Sequence, residues 1–207
     1  MATVNPTRLE LDKTKKRLAT ARRGHKLLKD KQDEMARQYM DYHRRWLALY
    51  RQVESALGQA SRSMLLAQAE MGQASLTEAL LLSAAGREPD CATAHLMNLS
   101  VPEISYQAPE TGIGYGFAFT SPELDGAVQG LQQLLPKLYE LAQVNKICEM
   151  LADEMERTRR RVNALEYVMI PQMEQTIRTI SMKLEDNERS NLTRLRKVKE
   201  MLARQQG

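Results

Sequence analysis

The chain has 207 residues, of which 27% are charged and only 5% are aromatic, with ten Gly and seven Pro. This composition favours helix, and twelve Met against two Phe argue for thin helix–helix contacts and against a thick globular core. A net charge of +4 and a pI of about 9.1 make the chain mildly basic, which does not by itself indicate nucleic-acid binding.

The first predicted element is a long helix that starts after Asn5-Pro6-Thr7 and extends to about residue 84. Thr7 followed three residues later by Glu10 matches a capping box. From there, mostly apolar residues recur every seven positions over ten heptads, as in Leu11, Leu18 and Val53. A repeat of that length is a coiled-coil signal.

The middle of the chain is irregular, because five of the seven prolines and a run of glycines fall between residues 89 and 136. Met97, Leu99 and Val101 alternate with polar residues, and Tyr115, Phe117 and Phe119 alternate with Gly and Ala. Such period-two alternation predicts a short two-stranded β-hairpin.

The second long helix is predicted from about Pro122 to Gln205, with Ser121 as its cap. Its repeat changes along Val162, Leu165, Met169 and Met173, which include consecutive steps of four. Such a stutter locally unwinds a supercoil, and Pro171 lies within it, so we expect a kink near 167–171.

Together these elements predict a mainly all-α fold, a long antiparallel two-helix coiled coil with a short β-hairpin region at the loop end. We expect one elongated, rod-like domain made of a first helix (1–84), an irregular segment (85–121) and a second helix (122–207). Both termini would then lie at one end. Residues 1–34 carry a net charge of +5 and residues 187–207 a net charge of +4, so this end is basic and the remainder acidic.

No catalytic, cofactor-binding or metal-binding motif emerges. The three histidines are scattered, Cys91 and Cys148 form no CxxC pair, and the glycines at 112, 114 and 116 lack the ending of a phosphate-binding loop. We therefore expect no catalysis by the chain alone. No signal peptide or membrane-spanning segment is expected either.

Several stretches resemble the D subunit of the V/A-type ATPases. Residues 4–8 (VNPTR) and 24–34 (GHKLLKDKQDE) are similar to the amino-terminal signature of that family, and residues 158–167 (TRRRVNALEY), followed by Ile170-Pro171-Gln172, to its carboxy-terminal signature. Residues 133–138 (QLLPKL) are similar to the bacterial members. The resemblance covers both helices, whereas residues 83–121 match only in character.

The resemblance implies a central rotor shaft inside a ring of alternating A and B subunits, paired with the F subunit and meeting a funnel-like subunit (C/d) on the membrane ring. Such a shaft would be peripheral, on the cytoplasmic side. We assign eleven cations at the basic end to contacts with the ring: Arg8, Lys13, Lys15, Lys16, Arg17, Arg22, Arg23, Lys26, Arg194, Arg196 and Lys197.

Two further sets are weighed. Arg159, Arg160 and Arg161, with Pro171, would lie midway along the shaft, where successive arginines point in different directions and pairing with nearby glutamates is an equal alternative. Trp46, Tyr50 and Tyr139 are candidates for the F-subunit contact, although an intramolecular core role is favoured.

Two other functions remain as alternatives at this point. A coiled-coil scaffold or adaptor unrelated to ATPases would self-associate. A nucleic-acid-binding rod would need aromatic residues interleaved with its cations, and residues 1–34 contain none.

Overall fold

The computed structural model describes residues 5–81, 88–106, 115–116 and 120–205, and the side chains within these ranges up to Leu202. The helices are α1 (Arg8–Met71), α2 (Gln73–Leu81), α3 (Pro122–Asn163) and α4 (Ile170–Gln205), with a π-helical segment at Ala164–Met169 between α3 and α4. The strands are β1 (Asp90–Leu96) and β2 (Leu99–Ser105). The mainly α fold with a small β-hairpin is confirmed.

Both predicted helix starts are confirmed by their caps. The Glu10 backbone N–H donates to the Thr7 hydroxyl at 3.2 Å, and the Glu123 backbone N–H donates to the Ser121 hydroxyl at 3.3 Å. Each hydroxyl satisfies a backbone donor that the first helical turn leaves without a partner. Local chemistry at these two positions therefore fixes where α1 and α3 begin.

The prediction of one uninterrupted helix to about residue 84 is wrong. α1 ends at Met71, and Gly72 has a φ of +79°, a left-handed conformation that glycine adopts without steric cost. α2 then covers Gln73–Leu81 as a separate short helix, and the predicted end at 84 lies outside the described residues. Leu76 and Ala79 of α2 are buried, so the break lets this helix cover the core next to it.

The hairpin pairs neighbouring segments. β1 and β2 are antiparallel with Leu96 opposite Leu99, joined by the two-residue turn Met97-Asn98, in which Met97 has a φ of +56°. β2 contains Leu99 and Val101 as predicted, whereas Met97, which was expected in the same strand, lies in the turn. Tyr115 lies outside any strand, so the expectation that its segment forms a strand is wrong at that residue, and Phe117 and Phe119 lie outside the described residues.

The chain divides into two compact units, and the first comprises residues 1–34 and 155–207. Here α1 lies antiparallel to α4, since Arg8 pairs with Glu188 at 2.5 Å and Arg22 pairs with Glu174 at 2.6 Å. Among the residues of this unit that the structure describes, the buried apolar side chains are Val162 and Ile180. Unit 1 therefore has a narrow core, and most of its described side chains are exposed or half-buried.

The second unit comprises residues 35–154 and holds two apolar clusters. Leu151 and Ile147 of α3 pack with Val101 of β2, and partly buried Tyr39 and Tyr42 of α1 cover them. The Ile104 backbone N–H also donates to the Gln143 side chain at 3.1 Å. A two-stranded hairpin is marginal alone in water, and these contacts anchor it to the helices.

The other cluster of unit 2 lies where α1, α2 and the start of α3 meet. Ala67, Leu76, Ala79, Tyr115 and Leu124 are buried together there. The Tyr115 hydroxyl donates to Asp125 Oδ1 at 2.7 Å, and the Ser121 hydroxyl donates to Glu70. These side-chain bonds connect the segment before α3 to the helices around it.

Burial, together with the hydrogen bond to Asp125, raises the pKa of Tyr115 above its usual range. Since the folded pKa exceeds the unfolded one, the stabilisation is fully present below about pH 10 and is lost as the pH rises further. We therefore expect Tyr115→Phe to lower the free energy of unfolding by about 1 kcal/mol at pH 7. The difference between the two proteins should shrink above about pH 10, as measured by urea unfolding at several pH values. A difference that stays constant with pH would show that the phenol makes no such contribution.

Candidate functional site: partner-binding surfaces

Charge is divided unequally between the two units. Unit 1 contains 22 Lys and Arg against 12 Asp and Glu, a net of +10, whereas unit 2 contains 8 against 14, a net of −6. The excess positive charge therefore belongs to the unit that contains both chain termini. A surface of this sign favours acidic partners and speeds their association.

Part of this charge is used within the chain. Arg8 and Arg22 each bond a glutamate of α4, Lys16 pairs with Asp12 at 2.9 Å, and Lys197 lies 4.0 Å from Glu200. Exposed pairs of this kind contribute little to stability. Only the Arg8 and Arg22 pairs among these four join α1 to α4, so these two arginines serve two purposes if they also meet a partner.

The remaining predicted cations are exposed. Arg23 donates to the Ala19 carbonyl at 3.4 Å and forms no ion pair with the residues that the structure describes. Besides Arg23, six of the eleven form neither an ion pair nor a side-chain hydrogen bond with any residue in the described ranges: Lys13, Lys15, Arg17, Lys26, Arg194 and Arg196. These six side chains are available to carboxylates of another molecule, and we call them the free cations below.

The carboxy-terminal part of α4 has no apolar cover within the described residues. Every side chain from Glu185 to Leu202 is exposed, including Leu192, Leu195, Val198 and Leu202. Their spacing places these four within about 120° of the helix circumference. This segment is thus an amphipathic helix whose apolar face is open to a partner.

The three successive arginines near the end of α3 point in different directions around the helix. Arg159, Arg160 and Arg161 are all exposed, and Arg160 pairs with Glu156 at 2.5 Å. Thr158 and Val162 on the same turn are buried, which leaves only the outer part of the helix for the arginines. Pro171, also predicted as a site residue, is exposed in the first turn of α4.

A ladder of aromatic rings runs along α1 in unit 2. Tyr39, His43, Trp46 and Tyr50 stack in sequence, with neighbouring ring centroids 5.8, 5.9 and 5.2 Å apart and interplanar angles of 7°, 9° and 23°. The first three rings are half-buried and Tyr50 is 44% exposed. Stacking favours one rotamer for each of these rings, so less conformational entropy would be lost on binding a partner.

Tyr139 has different surroundings. Its ring lies 4.9 Å from that of Tyr106, just after β2, and it is half-buried. The structure therefore brings Trp46 and Tyr50 together on α1 and pairs Tyr139 with the segment that follows the hairpin. Of the three candidates for the F-subunit contact, Tyr50 exposes the most surface.

An apolar stripe that was not predicted from the sequence overlaps the ladder at Tyr50. Met40, Leu47, Tyr50, Leu57 and Leu65 are each at least 38% exposed and fall within about 100° of the α1 circumference. The sequence does contain a signal for this stripe, because its apolar residues lie outside the a and d positions of the heptad repeat. An exposed stripe of this length is typical of a protein–protein contact.

Within the described ranges, no three His, Cys, Asp or Glu side chains are grouped so as to hold a metal ion. Nor does any helix, over the same residues, combine the length and apolar character needed to cross a membrane.

The fold and its surfaces define a class of protein, a mainly helical chain with exposed charged and apolar faces. Residues 10–200 match the family model for the D subunit of ATP synthase. The chain therefore belongs to the ATP synthase D-subunit family.

Individual relatives agree over nearly the whole length. The chain is 50% identical over 206 residues to the V-type ATP synthase D subunit of Acetivibrio thermocellus, covering 98% of this chain and 93% of that protein. It is 48% identical over 204 residues to the protein of the same name from Thermoanaerobacter sp. strain X514, covering 98% of each. A Clostridium botulinum (strain Langeland) protein of that name is 49% identical over 208 residues, covering 98% of this chain and 96% of that protein.

Proposed function

We propose that this chain is the central rotor shaft of a V/A-type ATP synthase. It couples ATP hydrolysis or synthesis in a ring of A and B subunits to rotation and to ion transport across the membrane. The chain itself is non-catalytic and is held on the cytoplasmic side of the membrane through the complex. Membership of the D-subunit family is the observation that carries this proposal.

The charge distribution supports placing unit 1 in the ring. Its net charge of +10 includes the six free cations, and the open apolar face of α4 lies in the same unit. Loops of the ring with complementary acidic and apolar groups would contact this surface. Many weak contacts suit a shaft, because it must leave each position in turn as it rotates.

Unit 2 is proposed to bind the two other partners. The aromatic ladder and the exposed stripe on α1 would bind the F subunit, with Trp46, Tyr50 and Tyr139 as candidate contacts. α2, whose Leu81 is 80% exposed, would face the funnel-like subunit (C/d) that sits on the membrane ring. Aromatic side chains that a partner covers contribute most of the binding energy of many interfaces. Tyr50 is singled out because, of the three candidates, it has the most exposed surface for a partner to cover.

Tyr50→Ala combined with Tyr139→Ala is expected to weaken binding of the F subunit by roughly tenfold or more, because both rings would become part of the interface. The measurement is the dissociation constant from titration of the purified chain with the F subunit. Tyr167→Ala in unit 1 is the matched control, since Tyr167 is 72% exposed and lies outside the proposed interface. Undiminished binding by the double variant, with the hairpin still folded, would remove these residues from the interface.

Co-expression with the A, B and F subunits, followed by gel filtration and an ATPase assay with and without the chain, tests the function as a whole. Entry of the chain into one complex with the ring, together with a change in hydrolysis, is the expected result. Elution of the chain alone or as a self-dimer would instead support the scaffold alternative.

A further inference from the structure

The core positions of unit 1 contain one irregular step. From the end of α3 through the π-helical segment into α4, successive core positions lie three or four residues apart, except that Leu165 and Ile170 are five apart. The side chains that are buried or half-buried at these positions are Thr158, Val162, Leu165, Ile170, Met173, Ile177, Ile180 and Leu184. The step of five falls within and just after the π-helical segment.

The irregular step replaces one that the repeat predicts. Met169 lies four residues from both Leu165 and Met173, so in a continuous α-helix it would occupy the core position between them. Met169 is instead 43% exposed, and Ile170 is half-buried. The Ile170 backbone N–H donates to the Leu165 carbonyl, five residues earlier, which is the π-helical pattern. Two neighbouring side chains thus compete for one core position.

Helix geometry explains why Met169 and Ile170 compete for this position. Eight α-helical residues from Leu165 to Met173 turn by about 800°, some 80° beyond two full turns, so an all-α path drifts away from the partner helix. A π-helix has more residues in each turn, so each residue turns less and the excess is absorbed. With the π-helical segment, the contact face stays directed at α1. Without it, the supercoil between α1 and α4 must unwind.

One contact and one proline favour the π-helical form. His25 Nε2 of α1 lies 3.3 Å from Glu166 Oε2, inside the segment. Pro171 has no N–H, and in a regular α-helix its ring would clash with the Tyr167 carbonyl. Exposure of apolar side chains disfavours the π-helical form, since Tyr167, Val168 and Met169 all present apolar surface to solvent. An α-helical form would return Met169 to the core.

We propose that Ala164–Met169 is a two-state element, π-helical with Ile170 in the core or α-helical with Met169 in the core. The exchange changes the supercoil twist between α1 and α4 in unit 1, and the His25–Glu166 contact biases it towards the π-helical state. This inference does not depend on the proposed function. If the chain is a rotor shaft, the element gives it one defined place at which to twist.

Thiol labelling of two single-cysteine variants, Met169→Cys and Ile170→Cys, reports which side chain occupies the core. Both are made with Cys91→Ser and Cys148→Ser, and each is compared with and without Pro171→Ala. Removing the proline favours the α-helical state, so labelling at position 169 should slow and labelling at position 170 should accelerate, each by about threefold or more. His25→Ala should act in the same direction.

A matched pair in regular α-helix serves as the control. Ile177 is half-buried and Arg178 is exposed, so the labelling rates of Ile177→Cys and Arg178→Cys should keep their ratio when Pro171 is replaced. Reciprocal changes confined to positions 169 and 170 support the two-state element. Changes of the same sign at both positions indicate local unfolding, and unchanged rates indicate a fixed π-helix, so either result overturns the inference. None of these outcomes depends on ATPase activity.

Discussion

Replacing all six free cations with glutamine is expected to weaken the affinity of the chain for the A/B ring by roughly tenfold or more. The variant carries Lys13→Gln, Lys15→Gln, Arg17→Gln, Lys26→Gln, Arg194→Gln and Arg196→Gln. Each contact is weak alone, so any single replacement should change the affinity by less than about fivefold. The dependence of binding on salt concentration should also become shallower, because fewer charges meet at the interface.

The fold of this variant should be unchanged, because none of the six side chains forms an ion pair within the described residues. Replacing Arg51, Arg62 and Lys137 of unit 2 with glutamine provides a control for loss of charge alone, and it should leave ring binding nearly intact. Binding is measured by titration of the A/B ring at two salt concentrations. Wild-type affinity in the sixfold variant would rule out an electrostatic role for the basic unit.

Leu151→Ala is expected to lower the free energy of unfolding by about 2–5 kcal/mol, the largest stability effect that we predict. Leu151 is fully buried, and with Ile147 it forms the surface on which Val101 of the hairpin packs. Truncation leaves a cavity beneath β2 and removes apolar contacts from both elements. Chemical denaturation followed by far-UV circular dichroism measures the effect.

Leu131→Ala is the matched control for this prediction. Leu131 lies on the same helix and is 37% exposed, so the same truncation removes fewer buried contacts and should cost clearly less. Equal losses in the two variants would mean that the contact between hairpin and α3 does not stabilise unit 2.

The helix starts were predictable from sequence because their causes are local. Thr7 and Ser121 supply cap oxygens within three residues of the donors that they satisfy. The end of the first helix was not predictable in this way. Gly72 sits in a long helical pattern that tolerates isolated glycines, and the burial of Leu76 and Ala79 against distant Tyr115 and Leu124 accompanies the break.

The hairpin was predicted in kind but not in pairing. Alternation identified the segment of β2, yet it favoured the aromatic residues at 115–119 over Asp90–Leu96, whose alanines are poor β-formers. The pairing follows from the two-residue turn at Met97-Asn98, which joins segments that are adjacent in the chain. Packing on α3 then compensates for weak intrinsic propensity.

The partner surfaces were only partly predictable. The charge imbalance is visible in sequence, but ion pairing separates Arg8 and Arg22 from the free cations only once α1 and α4 are placed together. From sequence alone, the stripe at Met40, Leu47 and Leu57 could not be distinguished from core positions, because its residues are apolar. The structure shows that it is exposed, since no part of the described chain covers it. A kink near 167–171 was predicted from Pro171, whereas the π-helical segment at Ala164–Met169 was not predicted.

Single-molecule observation of rotation tests the central claim most directly. A bead is attached through Cys91, which is exposed on β1, to the chain assembled with a surface-fixed A/B ring and the F subunit. Cys148 is half-buried, and burial raises its pKa, so it competes poorly for the label. The account predicts that the bead turns in one direction when ATP is added and stops when ATP is removed. A bead that stays still while the ring hydrolyses ATP would contradict it.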